Sequence, residues 1–253
     1  MRRTIILASA LVLAALWAGP AAAQKVYINP SNQSWNPVSG GGSEADYALI
    51  VANRVETILD NSGFDSRVDQ DFDNSPATAN SWGADIFVSI HSNAGGGHGT
   101  ETLYKSTGGQ VLAQNLPDGL LSSLPYQSRG LKNRTDLHVL NRTNMFAALV
   151  ESVFHDCTST SGRQGHPPSE SAFLRSAEGQ GLIAEGIAAG VCDYYGVTCS
   201  DGDPPPPQKG KYIGIVYRKP DTQDRIIGAT VTLNNGASTT TSGTGYFEIE
   251  VDA

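Results

Sequence analysis

Hydrophobic and polar positions alternate along the chain in two periods, and the switch between them outlines a fold. Lys25 to Asn29 is a short apolar-rich strand, followed by a Gly- and Ser-rich loop that runs to Gly42. Ser43 is placed as a helix N-cap with Asp46 three residues on as its capping-box partner. Tyr47, Ile50, Val51, Val55, Ile58 and Leu59 then recur at helical spacing, and Gly63 supplies the stop. Phe64 to Val68 reads as a strand, and Asp85 to Ile90 as the near-continuous apolar run of a buried parallel strand. Thr100 to Lys105 is another strand. Gln110 to Leu124 is helical, with Pro117 and Gly119 expected to bend or break it. Leu137 to Leu140 and Ala147 to Phe154 read as two more strands, and Ser171 to Tyr195 as a closing apolar helix. Alternation of this kind predicts an α/β fold, a mostly parallel twisted sheet with helices on both faces. In such sheets function sits in the loops at the carboxyl ends of the strands.

The two ends of the chain follow other rules. Arg2 and Arg3, the apolar run Ile5 to Trp17 and the small residues Ala21-Ala22-Ala23 predict a signal peptide over residues 1–23, too short for a comfortable membrane span. Residues 24–199 make one domain. Residues 200–209, with four consecutive prolines, form an extended linker. The remaining 210–253 carry β-type runs at Tyr212 to Tyr217, Ala229 to Leu233 and Tyr246 to Val251, with a hairpin turn at Asn234-Asn235-Gly236. This tail resembles the start of a carboxypeptidase-regulatory-like β-sandwich. Too few strands are present to complete one, so it is expected to be a small partial all-β module, its plainest role a solubilising edge sheet.

Composition narrows the function. The chain has 253 residues, 39% hydrophobic, enough for one real core. With 17 basic against 25 acidic residues and no basic cluster, nucleic-acid binding is excluded. Export places the three cysteines in an oxidising compartment. Cys192–Cys199 is the economical bridge, which leaves Cys157 over, and Cys157–Cys192 is the alternative.

Three segments carry candidate chemistry. His91, in Ser89-Ile90-His91-Ser92-Asn93-Ala94, stands where a buried strand runs out into a Gly-rich loop. Glu44 opens the first helix, where the helix N-terminus alone stabilises a carboxylate. Glu151 interrupts the apolar strand Leu149 to Phe154, so it either pairs with a cation or serves as a base. Strand alternation puts Glu151, Val153 and His155 on one side. His98 reads as a loop residue and His138 as a packing residue on a strand, and His166 carries no assignment.

In this order and spacing, Val26 to Pro30, Glu44, Ala84 to Ala94, Gly99 to Tyr104, Arg129 to Lys132 and Leu149-Val150-Glu151 with Phe154 resemble the zinc-dependent N-acetylmuramoyl-L-alanine amidases of the Amidase_3 type. The resemblance spans residues 24–199. It implies a catalytic zinc and cleavage of the amide between N-acetylmuramic acid and L-alanine of peptidoglycan. By position, Glu44 and His91 match two zinc ligands, and Glu151 matches the catalytic glutamate. Asn93 is either an oxyanion donor or a structural loop residue, and Arg129, with Lys132, is by default a surface pair and otherwise a contact for stem-peptide carboxylates. The family's Pro-Gly-His-Gly ligand segment is replaced by Pro30-Ser31-Asn32-Gln33, so Asn32 stands where the third ligand belongs. Either the third ligand has moved to His155, giving Glu44, His91 and His155 with water fourth, or the site is dead and the domain binds cell wall without cutting it. The resulting expectation is a monomeric, exported zinc amidase of the periplasm or exterior that acts on peptidoglycan. The alternative is an inactive binding module.

Overall fold

The computed structural model describes residues 23–160, 168–200, 210–216, 225–233 and 238–251. The signal-peptide segment up to residue 22, His166, nearly all of the Pro-rich linker and the Asn-Asn-Gly turn lie outside the described residues. A six-stranded sheet has the order β2-β1-β3-β6-β4-β5. Its strands are β1 (Lys25–Pro30), β2 (Asp65–Val68), β3 (Ile86–Asn93), β4 (Thr100–Tyr104), β5 (Ser128–Asn133) and β6 (Phe146–Phe154). All neighbours pair in parallel except β4 with β6. The sheet is therefore mixed but mostly parallel, as the alternating pattern predicts.

Strand alternation sends Val26, Ile28, Ile86, Val88, Ala148 and Val150 to one face, where they pack with the long helices α1 (Glu44–Asn61), α3 (Thr107–Ser123) and α6 (Ala177–Tyr195). Tyr27, Phe87, Ala147 and Leu149 go to the other face, under the short helices α2 (Ser75–Trp82) and α4 (His138–Asn141). Both faces are thus covered by helices, and the large core lies on the α1–α3–α6 side.

Local departures from the sequence expectation have physical causes. α3 runs unbroken through Pro117, because the helix lies pressed against α6. A Cβ on Gly119 would sit 2.2 Å from the Gly186 carbonyl oxygen, so only glycine permits the approach. The closing helix is two helices, α5 (Glu170–Arg175) and α6, split at Ser176, whose extended backbone lets its side chain cap α6. Leu137 to Leu140 is not a strand but the lead-in and start of α4. α2 and β5 were not expected. The Cys192–Cys199 bridge is present, so the open pairing resolves to the local one, and buried Cys157 lies outside it.

The C-terminal part forms two small antiparallel pairs. One joins β7 (Gly210–Ile215) to β10 (Tyr246–Val251), and the other joins β8 (Thr230–Thr232) to β9 (Ser238–Thr240). Among the described residues no helix is long and apolar enough to cross a membrane.

Candidate active site at the carboxyl ends of β1, β3 and β6

The site begins with a helix start. Ser43 and Asp46 close the expected capping box: Asp46 Oδ2 accepts from the Ser43 amide at 2.8 Å, and Ser43 Oγ from the Asp46 amide at 3.4 Å. Glu44 is thereby fixed as the first residue of α1, and its amide donates to the Asn36 carbonyl at 2.9 Å. Its carboxylate meets the end of β3, where Oε1 lies 2.8 Å from His91 Nδ1. Both side chains are buried.

The loop after β1 wraps over this pair. Asn36 Nδ2 donates to Glu44 Oε2 and to Gln33 Oε1, each at 2.9 Å, and Gln33 Nε2 comes to 3.4 Å from His91 Nδ1. Burial pushes the Glu44 carboxyl up, but the hydrogen bond and charge of His91, with donors from Asn36 and Ser31, outweigh it and hold the group below its usual range. For His91, burial pulls the other way, and the Glu44 hydrogen bond with the charges of Glu151 and Glu44 raises it.

Glu151 arrives from the next strand. The parallel register of β3 and β6 places it opposite His91, and the antiparallel register of β4 places it opposite Glu101. Its Oε2 is buried and makes no hydrogen bond among the described residues. Burial raises its carboxyl to about 7, opposed by the His91 charge and reinforced by Glu44 and Glu101. A carboxyl poised there exchanges protons at neutral pH. Glu151 and His91 line a cleft of about 410 Å3, walled by Trp35, Phe72, Leu137, Leu149, Arg134 and His138 among others.

Three other expected residues are placed differently. Asn93 and Arg129 converge on Glu101: Asn93 Nδ2 donates to its Oε1, and Arg129 Nε to its Oε2, both at 2.9 Å. Arg129 also lies over the Phe154 ring. His155 turns to Ser92, donating from Nδ1 to the Ser92 carbonyl at 3.0 Å and lying 3.0 Å from Ser92 Oγ. The cause is a register shift. His91 pairs with Glu151 but Asn93 with Phe154, so β6 carries one extra residue between them. Such a bulge breaks the two-residue alternation that would have put Glu151 and His155 on one face.

Sequence reasoning overlooked Gln33, Asn36 and Glu101, and also Glu170. The Glu170 carboxylate is fully buried and accepts from the Gly99 and Phe154 amides at 2.9 and 2.6 Å. The one available signal for Gln33 and Asn36 was a pair of amides just ahead of a helix cap. His138 belongs to the cleft wall through α4, with Nε2 3.3 Å from the Asp73 carbonyl oxygen.

Fold and site together define an α/β protein with a buried carboxyl beside an imidazole–carboxylate pair at the carboxyl ends of its strands. Residues 26–193 match the family model Amidase_3, N-acetylmuramoyl-L-alanine amidase, and the chain belongs to that family of peptidoglycan hydrolases. It is 36% identical over 123 residues to N-acetylmuramoyl-L-alanine amidase CwlM of Bacillus licheniformis, covering 47% of this chain and 44% of that protein. It is 29% identical over 193 residues to a sporulation-specific N-acetylmuramoyl-L-alanine amidase of Bacillus subtilis, covering 70% and 71%. Among solved structures, AmiC2 of Nostoc punctiforme superposes with a TM-score of 0.59 at 28% identity, covering 68% of this chain and 97% of that one.

Amidase_3 proteins are typically zinc-dependent. A catalytic zinc uses three protein donors and leaves a fourth position for water. Glu44 and His91 fit two of those positions by donor chemistry and by their convergence at 2.8 Å. Among the described residues no group of three or more His, Cys, Asp or Glu side chains could hold a metal. The third polar group at His91 Nδ1 is the Gln33 amide, from the residue after Asn32.

Proposed function

We propose that the chain is an exported amidase that cleaves the bond between the lactyl group of N-acetylmuramic acid and L-alanine in peptidoglycan, with Glu151 as general acid and base. The observation that carries this reading is Glu151, which lines the cleft with His91 and whose buried Oε2 has no hydrogen-bond partner among the described residues. Glu44 and His91 would hold zinc, and the nearest further polar side chain at His91 is Gln33, whose Oε1 accepts from Asn36. Zinc held by the Glu44–His91 pair would supply Lewis acidity toward the scissile carbonyl and the attacking water. Glu151 takes a proton from the attacking water and returns it to the alanine nitrogen, which leaves poorly unless protonated. The Glu101 carboxylate, held by Asn93 and Arg129, keeps negative charge next to Glu151 and so helps it retain a proton for the second transfer. Exposed Trp35 and the apolar wall suit the sugar and alanine faces of a muramoyl-peptide, and Arg134 suits a stem carboxylate. Export rests on the Arg2–Ala23 segment and accords with the Cys192–Cys199 bridge.

The test is incubation of purified, zinc-supplemented protein with peptidoglycan. New L-alanine amino termini are expected, and they should vanish in Glu151→Gln. A second reading, a wall-binding module without activity, is favoured by the lack, among the described residues, of a third His, Cys, Asp or Glu ligand. It predicts sedimentation with peptidoglycan and neither stoichiometric zinc nor product.

A further inference from the structure

Among the described residues, the C-terminal part reaches the first turn of α1 through Arg225. Arg225 Nη2 lies 2.5 Å from Asp46 Oδ1 and 3.5 Å from Ser43 Oγ, while Nη1 donates to the Thr244 carbonyl at 3.2 Å. The Asp46 side chain is 2% exposed and that of Arg225 14%. Asp46 therefore spends Oδ2 on the cap and turns Oδ1 to Arg225. A carboxylate buried to this degree and stripped of its cation is costly, and the capping geometry would give way first. Glu44 sits between the two residues that Arg225 touches. Beside this seam a cleft is walled by Asp69, Asp71, Arg225 and Thr244 and reaches Asn32, which also lines the catalytic cleft. The C-terminal part thus abuts the working end of the sheet.

We infer that Arg225 is a positioning residue for the hydrolytic centre. By pairing with Asp46 and Ser43 it locks the first turn of α1, and the locked turn holds the Glu44 carboxylate against His91. The C-terminal module then completes the catalytic unit instead of trailing from it, in contrast to the solubilising role expected from sequence. Arginine suits the task because its fork reaches Thr244 and Asp46 with separate nitrogens, which a lysine cannot do.

The inference rests on the proposed amidase reading only for its kinetic arm. In the full chain, Arg225→Ala is expected to lower kcat about tenfold with KM little changed, as for contacting residues coupled by roughly 1.4 kcal/mol. Arg225→Lys should restore part of the loss. The Asp46→Asn and Arg225→Ala double variant should be no worse than the poorer single variant. Hydrogen exchange at the amides of residues 44–47 should quicken in Arg225→Ala while the β3 and β6 amides keep their protection. Unchanged exchange at that turn overturns the inference, as does a lowered Tm with kcat and local exchange both intact. If the unaltered protein shows no amidase activity, the functional reading fails, and the exchange measurement still decides the role of Arg225.

Discussion

The ends of β3 and β6 lie side by side, each with a buried histidine near it, His91 two residues before the end of β3 and His155 just after β6, and the two histidines have different partners. His91 faces a carboxylate across 2.8 Å, with a second carboxyl, Glu151, opposite it in the neighbouring strand. His155 faces a hydroxyl and a carbonyl of Ser92, and its own backbone is tied at both ends, the amide to Asn93 and the carbonyl to Ser39. One ring sits where charge and lone pairs converge, and the other is a buttress that ties the β3 end to the β6 end. Residue type and burial are shared, and the partner groups set the two histidines apart.

That contrast can be broken most severely at Glu151. Glu151→Gln removes the proton carrier while keeping the shape, and kcat should fall by roughly 10²–10⁴. Activity left intact would place the chemistry elsewhere. Next come the paired histidine variants. His91→Ala should abolish stoichiometric zinc, read by metal analysis after gel filtration. His155→Ala should keep the metal and lose about 1–3 kcal/mol of stability in denaturant unfolding, since it strands the Ser92 groups it satisfies. Zinc lost in both variants would restore the relocated-ligand set of Glu44, His91 and His155. Gln33→His should tighten zinc binding about tenfold or more, because imidazole is a far better zinc donor than a neutral amide. Competition with a chelator measures it, and no change would remove Gln33 from the site. The smallest effect is expected at Arg129, which is part-exposed against Glu101. Arg129→Ala should lower kcat severalfold at most with KM nearly unchanged, as a charge acting through Glu101 would. A rise in KM alone would instead make it a direct substrate contact.

The readable parts of the fold were those governed by neighbours in the chain. The apolar runs of β1, β3 and β6, the Ser43–Asp46 cap and the short Cys192–Cys199 loop all follow from local spacing. β5 escaped because Ser128 to Asn133 is a polar, largely exposed edge strand with no apolar alternation to detect. α2 escaped because Ser75 to Trp82 buries only Ser75, Pro76 and Ala79. Leu137 to Leu140 misled because a short apolar run is compatible with either period. Glu44, His91 and Glu151 could be nominated from position and motif. Gln33, Asn36 and Glu101 could not, since their importance arises from partners far off in sequence or from the path of a loop.

By itself the chain determined the central strands β1, β3 and β6, the start of α1, and which side chains stand near those strand ends. Those are consequences of side-chain period and capping chemistry, which act over a few residues. Only the assembled sheet decided that β4 runs antiparallel to β6, bringing Glu101 to Glu151, and that one extra residue in β6 turns His155 away from the pocket. Register and strand direction depend on pairing between segments tens of residues apart, and a single-residue slip reverses every side chain beyond it.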